Sequence, residues 1–111
     1  MKYKKHILVL TTINDRSAGE KIARVLIEER LAACVSITSP VESIYWWEGK
    51  ISQDQEYLLF IKTRRDFYRR VEKKILSVHT YETPEIIALP IKHGSRSYFD
   101  WIAEELDKGK T

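Results

Sequence analysis

Residues 41–51 read VESIYWWEGKI, and this stretch guides the interpretation of the rest of the chain. Its side chains alternate along a strand that ends in Tyr45, Trp46 and Trp47, and the following Glu48-Gly49-Lys50 has the composition of a hairpin turn. A two-stranded ribbon is marginally stable in water by itself. Since exposed apolar patches mark interfaces, the aromatic end of this ribbon predicts contact with another subunit.

The segments around the ribbon give the order of the remaining elements. Short apolar runs predict four strands, at residues 6–12, 32–46 with a break at Pro40, 56–62 and 85–91. Apolar residues at helical spacing predict three helices, at residues 17–30, 64–79 and from Ser95 or Ser97 onward. The resulting order is the split βαβ, ferredoxin-like arrangement of an α+β fold, with an additional helix at the C-terminal end.

Composition limits the class of protein. The 111 residues, 43% of them hydrophobic, are enough for one domain over residues 1–111. The basic start, residues 1–6, precedes an apolar run too short for a signal peptide, and no run could span a membrane. A single cysteine suits a reducing cytosol, so we expect a cytoplasmic protein. The charged fraction of 32%, with one Asn and two Gln, resembles heat-adapted sequences and predicts a thermostable protein.

The segment from His79 to Glu85 is the best candidate for a site. It places an imidazole, Tyr81 and two carboxylates, Glu82 and Glu85, next to the rigid Pro84. Imidazole suits copper and zinc, so these residues form a predicted metal site of His79, Glu82 and Glu85. The alternative is that a protonated His79 complements the C-terminal end of the preceding helix.

Other candidate groups favour structural roles. Cys34 lies in an apolar strand and is predicted to be a small buried hydrophobe. The cations of residues 64–74 are interrupted by Asp66 and Glu72, and the net charge of +3 is dispersed, so we expect no nucleic-acid partner. No nucleophile–base set, phosphate-binding loop or zinc spacing occurs, and the sequence does not predict an enzyme.

Taken together, these motifs resemble the CutA family of divalent-cation tolerance proteins. The resemblance is carried in order by motifs along nearly the whole chain: Thr11-Thr12 with Asp15, Arg30-Leu31-Ala32-Ala33-Cys34-Val35, Ser43 to Lys50, Lys62-Thr63, His79 to Ile86, Leu89-Pro90-Ile91, and Gly94, Tyr98 and Trp101.

The resemblance implies a cytoplasmic homotrimer linked to tolerance of divalent metals, copper above all. Long hairpins and C-terminal elements would pack between subunits, and the predicted trimer-interface residues are Tyr45, Trp46, Trp47 and Trp101. The family's proposed copper site uses a cysteine and paired histidines. Here Thr11 and Val78 occupy two of those positions, so the resemblance implies weak binding of Cu²⁺ or another divalent cation.

Two other functions fit the same sequence. The first is a signalling trimer similar to the nitrogen-regulatory P-II proteins, binding a small anion or nucleotide between subunits through Lys62, Thr63, Arg96 and Tyr81. The second is a structural trimer that scaffolds another protein.

Overall fold

The computed structural model describes residues 5–109, so most of the basic N-terminal segment (residues 1–4) lies outside the described residues. The strands are β1 (His6–Ile13), β2 (Cys34–Ile37), β3 (Val41–Trp47), β4 (Lys50–Arg64) and β5 (Ile86–Pro90). The helices are α1 (Arg16–Glu28), α2 (Tyr68–Val78) and α3 (Arg96–Asp107), with a 3-10 turn over Arg65–Phe67.

All strand pairs are antiparallel, in the order β2-β4-β1-β5, with β3 paired to the outer part of β4. This topology confirms the predicted α+β, ferredoxin-like fold. β4 is 15 residues long, which at about 3.3 Å per residue gives roughly 50 Å. The longest dimension of the described chain is also 50 Å. β4 therefore runs along the full length of the molecule. Its inner half belongs to the sheet, and its outer half pairs with β3 to form the ribbon.

The ribbon turns at Glu48 and Gly49, as predicted. Trp47 pairs with Lys50, which leaves a two-residue loop, and both loop residues have positive φ, 50° at Glu48 and 76° at Gly49. This is the conformation of a type I′ turn, whose twist matches that of the flanking strands. Glycine takes this backbone without strain, so the sequence Glu48-Gly49 fixes the register of the ribbon.

One face of the sheet is covered by α1 and α2. Alternate residues of β1 point into this core, and Val9 is fully buried with Leu59 and Ile61 of the paired strand β4. Ile22 of α1 and Ile75 of α2 are also buried in the same apolar cluster. The helical spacing of these residues was visible in the sequence, because a helix that covers a sheet must present a continuous apolar stripe.

The opposite face of the sheet remains largely uncovered within one chain. We call it the open face, and its apolar side chains are Leu8, Leu10, Leu58, Phe60, Ile87 and Leu89. α3 reaches only the end where the His6 ring stacks on Phe99, at 4.1 Å between centroids. The last strand, although apolar, is exposed on this face in the single chain: Ile87 and Leu89 are 47% and 48% exposed, because β5 is an edge strand.

Side chains cap the starts of two helices. Asp15 caps α1, and its carboxylate accepts from the Ala18 N–H at 2.9 Å. The Ser17 hydroxyl donates to the same carboxylate. A carboxylate at this position also complements the positive end of the helix. At α3 the predicted cap Ser95 is confirmed.

Candidate functional site

The predicted loop and the base of the ribbon meet in a cluster of phenols and carboxylates. β4 contributes Asp54 and Glu56, which are two residues apart and so share a face of the strand. β3 contributes Tyr45, and the segment after α2 contributes His79 and Tyr81. We call these five residues the ribbon-base cluster.

Glu56 is the buried carboxylate of the ribbon-base cluster. It is only 7% exposed, and the Tyr81 hydroxyl donates to its Oε2 at 2.6 Å. Burial raises the pKa of the Tyr81 phenol, and the hydrogen bond to Glu56 and the negative charges nearby raise it further. Tyr81 therefore stays protonated and serves as a permanent donor. An isolated carboxylate would be costly to bury at this position, and the phenol offsets part of that cost.

A second phenol–carboxylate pair lies further out on the ribbon. Tyr45 donates to Asp54 at 2.6 Å, in a solvent-exposed position. The hydrogen bond to Asp54 is the main reason why the pKa of Tyr45 is raised. The two pairs have the same chemistry and differ in burial, so they provide an internal comparison.

His79 links the ribbon-base cluster to β1. Its Nε2 lies 2.8 Å from the carbonyl oxygen of Thr12, and its Nδ1 lies 3.0 Å from the backbone nitrogen of Tyr81. A carbonyl can only accept and an N–H can only donate, so Nε2 carries the proton and Nδ1 accepts. The ring is therefore neutral. Burial lowers the pKa of His79, although the Thr12 carbonyl opposes this shift.

This geometry bears on both interpretations of His79. A protonated ring could not accept from Tyr81, so the alternative of a cation at the helix end does not fit the hydrogen bonds. A metal at Nδ1 would have to displace the Tyr81 N–H. Glu82 and Glu85 are exposed, and among residues 5–109 no three His, Cys, Asp or Glu side chains are close enough to hold a metal ion. The single chain thus does not assemble the predicted metal set, and the metal role of His79 stays a prediction.

The predicted interface residues lie on the surface of the chain. Trp46 and Trp47 are 73% and 57% exposed, while Tyr45 and Trp101 are 37% and 40% exposed. Trp101 stacks on Tyr98 with 5.6 Å between ring centroids. Exposure on this scale is consistent with an interface, and the assignment stays a prediction.

Two of the four residues suggested for an anion cleft, Thr63 and Tyr81, already have hydrogen-bond partners within the chain. Thr63 is fully buried and donates to the Leu31 carbonyl at 2.7 Å, so its role is structural. Tyr81 is engaged with Glu56 at the ribbon base. Arg96 is exposed at the start of α3, and Lys62 lies on the inner half of β4 beside Cys34. Cys34 is only half-buried, contrary to its prediction as a core hydrophobe, because it points to the open face.

Sequence reasoning missed the burial of Glu56. The residue begins an apolar run and looks like the polar edge of a strand. The sequence signal for a buried partner was Tyr81, which lies in a loop rich in polar and charged side chains. Its partner Glu56 is 25 residues away, and spacing along the chain cannot identify a partner at that separation.

We expect Tyr81→Phe to destabilise the subunit by about 1–3 kcal/mol, because the change leaves the buried Glu56 carboxylate without its donor. The free energy of unfolding from urea titration at fixed protein concentration measures the effect.

Tyr45→Phe is the matched control, since it removes the same hydroxyl from the exposed pair with Asp54. We expect a clearly smaller loss from it. Equal losses for the two variants would show that burial of Glu56 does not strengthen its dependence on Tyr81.

Comparison with known proteins gives a consistent family assignment. A family model described as "CutA1 divalent ion tolerance protein" matches residues 7–105. The chain is 45% identical over 96 residues to the rice protein "Protein CutA 1, chloroplastic", a match that covers 86% of this chain and 54% of the rice protein. It is 43% identical over 97 residues to "Divalent-cation tolerance protein CutA" of Thermus thermophilus, covering 87% of this chain and 94% of the other.

Among solved structures, the periplasmic divalent cation tolerance protein CutA from Archaeoglobus fulgidus superposes with a TM-score of 0.89 at 39% identity, over 91% of this chain and 98% of that one. The chain spans about half the length of the rice and Arabidopsis relatives, 54% and 53%. Within residues 5–109, no helix is both long and apolar enough to cross a membrane.

Proposed function

Because the chain belongs to the CutA1 divalent ion tolerance family, we propose that it acts in tolerance of divalent cations as a homotrimer that binds such cations weakly. The observation that carries the assembly is the open face together with the aromatic ribbon. In a single chain, both surfaces expose large apolar side chains to solvent. Monomeric proteins rarely expose a continuous apolar surface of this kind.

The ribbon and the open face are continuous along β4. Phe60 and Leu58 of the open face lead along the strand to Glu56 and Asp54, and then to the ribbon tip at Trp47. A second subunit that covers the open face would thus also meet the ribbon-base cluster. This continuity supports an assembly in which subunits pack sheet against ribbon, because it buries both apolar surfaces at once.

Direct cation binding is proposed to be weak for a chemical reason. His79 is the only borderline ligand of its loop, and both of its ring nitrogens have hydrogen-bond partners within the chain. A cation must displace one of these bonds or use carboxylate oxygens, which suit hard ions better than copper. Ligands from a neighbouring subunit would complete such a site.

We also propose a binding role rather than a catalytic one, in the cytoplasm. The ribbon-base cluster holds its phenols protonated and its imidazole neutral, and each side chain is already paired. Relatives carry chloroplastic and periplasmic designations, so fractionation of the source cell is the test of the compartment.

Copper titration of His79→Ala tests the cation role. We expect the variant to bind Cu²⁺ at least severalfold more weakly than the unmodified protein while its mass in solution is unchanged. Isothermal titration calorimetry at neutral pH measures the binding, and sedimentation measures the mass.

His93→Ala is the control, since His93 is an exposed histidine outside the ribbon-base cluster. Copper affinity that is equal in all three proteins would reject the role of His79. A loss that is equal in the two variants would indicate adventitious binding to surface imidazoles.

A further inference from the structure

The outward face of α2 carries exposed cations. Val71 and Ile75 of this helix are fully buried, so residues two positions away from them point to solvent. Arg69 and Lys73 are two such residues. Because α2 covers the side of the sheet opposite the open face, an assembly through the open face leaves these side chains accessible. We call the basic row the four exposed cations of this segment, Arg65, Arg69, Arg70 and Lys73.

The two carboxylates that interrupt the basic row in the sequence have other partners in the fold. Asp66 accepts from Nε of the buried Arg64 at 3.2 Å. Glu72 accepts from the Tyr68 hydroxyl at 3.2 Å, within the same helix. In the part of the chain that the structure describes, residues 5–109, no ion pair joins a cation of the basic row to a carboxylate. The positive charge of the basic row is therefore not neutralised within the chain.

One cation of the basic row is held in place by an aromatic ring. The guanidinium carbon of Arg70 lies 4.3 Å from the centroid of the Phe67 ring. Phe67 is only 2% exposed, so the core fixes the ring. A guanidinium stacked on a fixed ring loses little conformational freedom when it binds an anion. Arg70 thus presents its N–H donors next to Arg69 at a small cost in entropy.

The spacing of the cations indicates the shape of a ligand. We propose that the basic row is a docking site for an extended acidic segment of another protein, with carboxylates at alternate positions. Arg69 and Lys73 are four residues apart in α2, which is about 6 Å along the helix axis. Alternate residues of an extended chain point to the same side and are roughly 6.6 Å apart. Successive carboxylates of such a segment therefore meet successive cations of the basic row.

The helix itself gives no structural reason for this arrangement. Like charges one turn apart, such as Arg69 and Lys73, destabilise a helix slightly. A bound row of carboxylates removes this repulsion and adds charge-assisted hydrogen bonds to the guanidinium groups. Both effects favour the complex over the free helix.

Leu76 gives the docking site an apolar end. It is 55% exposed and follows Arg69 by seven residues, so it lies on the same face of α2, two turns further along. An apolar side chain after the last carboxylate of the bound segment would cover it. Charge pairs mainly accelerate association, whereas burial of an apolar contact adds to the lifetime of the complex.

Neighbouring carboxylates make the docking site narrow, which favours a single peptide segment. Residues 72 and 74 lie on opposite sides of the helix, at about 100° per residue. Glu72 is on one side, and Glu29 is on the other side, where it pairs with Lys74 at 3.0 Å. A membrane surface or a nucleic-acid duplex is a broad layer of negative charge and would meet these carboxylates as well. An extended peptide fits between them.

The test measures binding of a synthetic peptide to the purified full chain by fluorescence anisotropy. In the fluorescein-labelled probe three glutamates alternate with serines, and a leucine at each end serves both chain directions. We expect saturable binding of one peptide per chain, with an affinity that falls as salt is added. A second peptide of the same composition, with its glutamates consecutive, should bind at least threefold more weakly. Replacing Arg69 and Lys73 together by glutamine should weaken binding of the alternating peptide about tenfold or more.

The matched control replaces Lys21 and Arg24 of α1 by glutamine, which removes two exposed charges from the same helical layer. Arg24 stands one turn from both Glu20 and Glu28, so its charge is compensated locally. This variant should bind the alternating peptide within about twofold of the unmodified protein. Circular dichroism and sedimentation establish that fold and mass are unchanged in both variants. The readout involves no metal, so it is independent of the proposed cation role.

Three results overturn the proposal. The first is the absence of saturable binding of the alternating peptide, or equal binding by the unmodified protein and the variant that lacks Arg69 and Lys73. The second is equal affinity for the alternating and the consecutive peptide. The third is tighter binding of a single-stranded oligonucleotide, or of vesicles that contain phosphatidylserine, which would assign the basic row to a different class of partner.

Discussion

Replacing Leu89 by aspartate is expected to convert the proposed trimer into separate, folded subunits. Leu89 lies on the open face of the edge strand β5 and is 48% exposed in the single chain. Within one chain a carboxylate there stays hydrated and costs little. In an assembly that covers the open face, the same carboxylate would lose its hydration without gaining a partner. Sedimentation equilibrium at micromolar concentration should therefore show a fall from three subunit masses to one.

The control is Leu76→Asp, which places the same charge on an exposed leucine of α2. Leu76 is 55% exposed and lies in the helical layer, on the other side of the sheet from the open face. We expect its mass to equal that of the unmodified protein. Far-ultraviolet circular dichroism distinguishes dissociation from unfolding. If Leu89→Asp keeps three subunit masses, the open face is not the interface. A single subunit mass for the unmodified protein would reject the trimer itself.

Truncating Ile75 in the core of α2 is expected to give a large loss of stability from a single side chain. Ile75 is fully buried between α2 and the sheet, and Ile→Ala at such a site costs about 2–5 kcal/mol from lost burial and the cavity left behind. The change also reaches the ribbon-base cluster, because the Ile75 carbonyl accepts from the His79 N–H at 2.8 Å. The free energy of unfolding in guanidinium, at fixed subunit concentration, measures the loss.

Leu76→Ala is the matched control for this prediction, since it removes an aliphatic side chain from the next residue of the same helix. With Leu76 more than half exposed, we expect a change within about 0.5 kcal/mol. Similar losses at the two positions would mean that the exposed face of α2 is buried in the assembly, which would relocate the subunit contact to the helical layer.

Features that depend on neighbours along the chain could be predicted from the amino-acid sequence. Glu48-Gly49 specifies a two-residue turn because the turn requires positive φ at both residues, and glycine adopts positive φ readily. Ser95 caps α3 because its hydroxyl reaches an N–H three residues away. The order of strands and helices follows from apolar periodicity, and the ferredoxin-like topology follows from that order.

The partners of the polar side chains were decided by the tertiary structure alone. The sequence marks His79 as a candidate metal ligand, and only the fold shows that its two ring nitrogens are hydrogen-bonded to Thr12, 67 residues away, and to Tyr81. The sequence marks Glu56 as a surface residue, and only the fold shows that its carboxylate accepts a hydrogen bond from Tyr81. Periodicity specifies which face of an element is apolar, but it does not specify which distant group will face a given polar atom.

The exposure of the open face and the neutral surroundings of Lys62 also depend on contacts between residues that are far apart in the sequence. The residues of β5 are apolar enough to be core, and only the strand order places them at an uncovered edge. Lys62 is one of many cations in the sequence, and only the pairing of β2 with β4 leaves it beside neutral groups. Local propensity acts over a few residues. Burial and the pairing of charged groups depend instead on which surfaces come into contact in the folded chain.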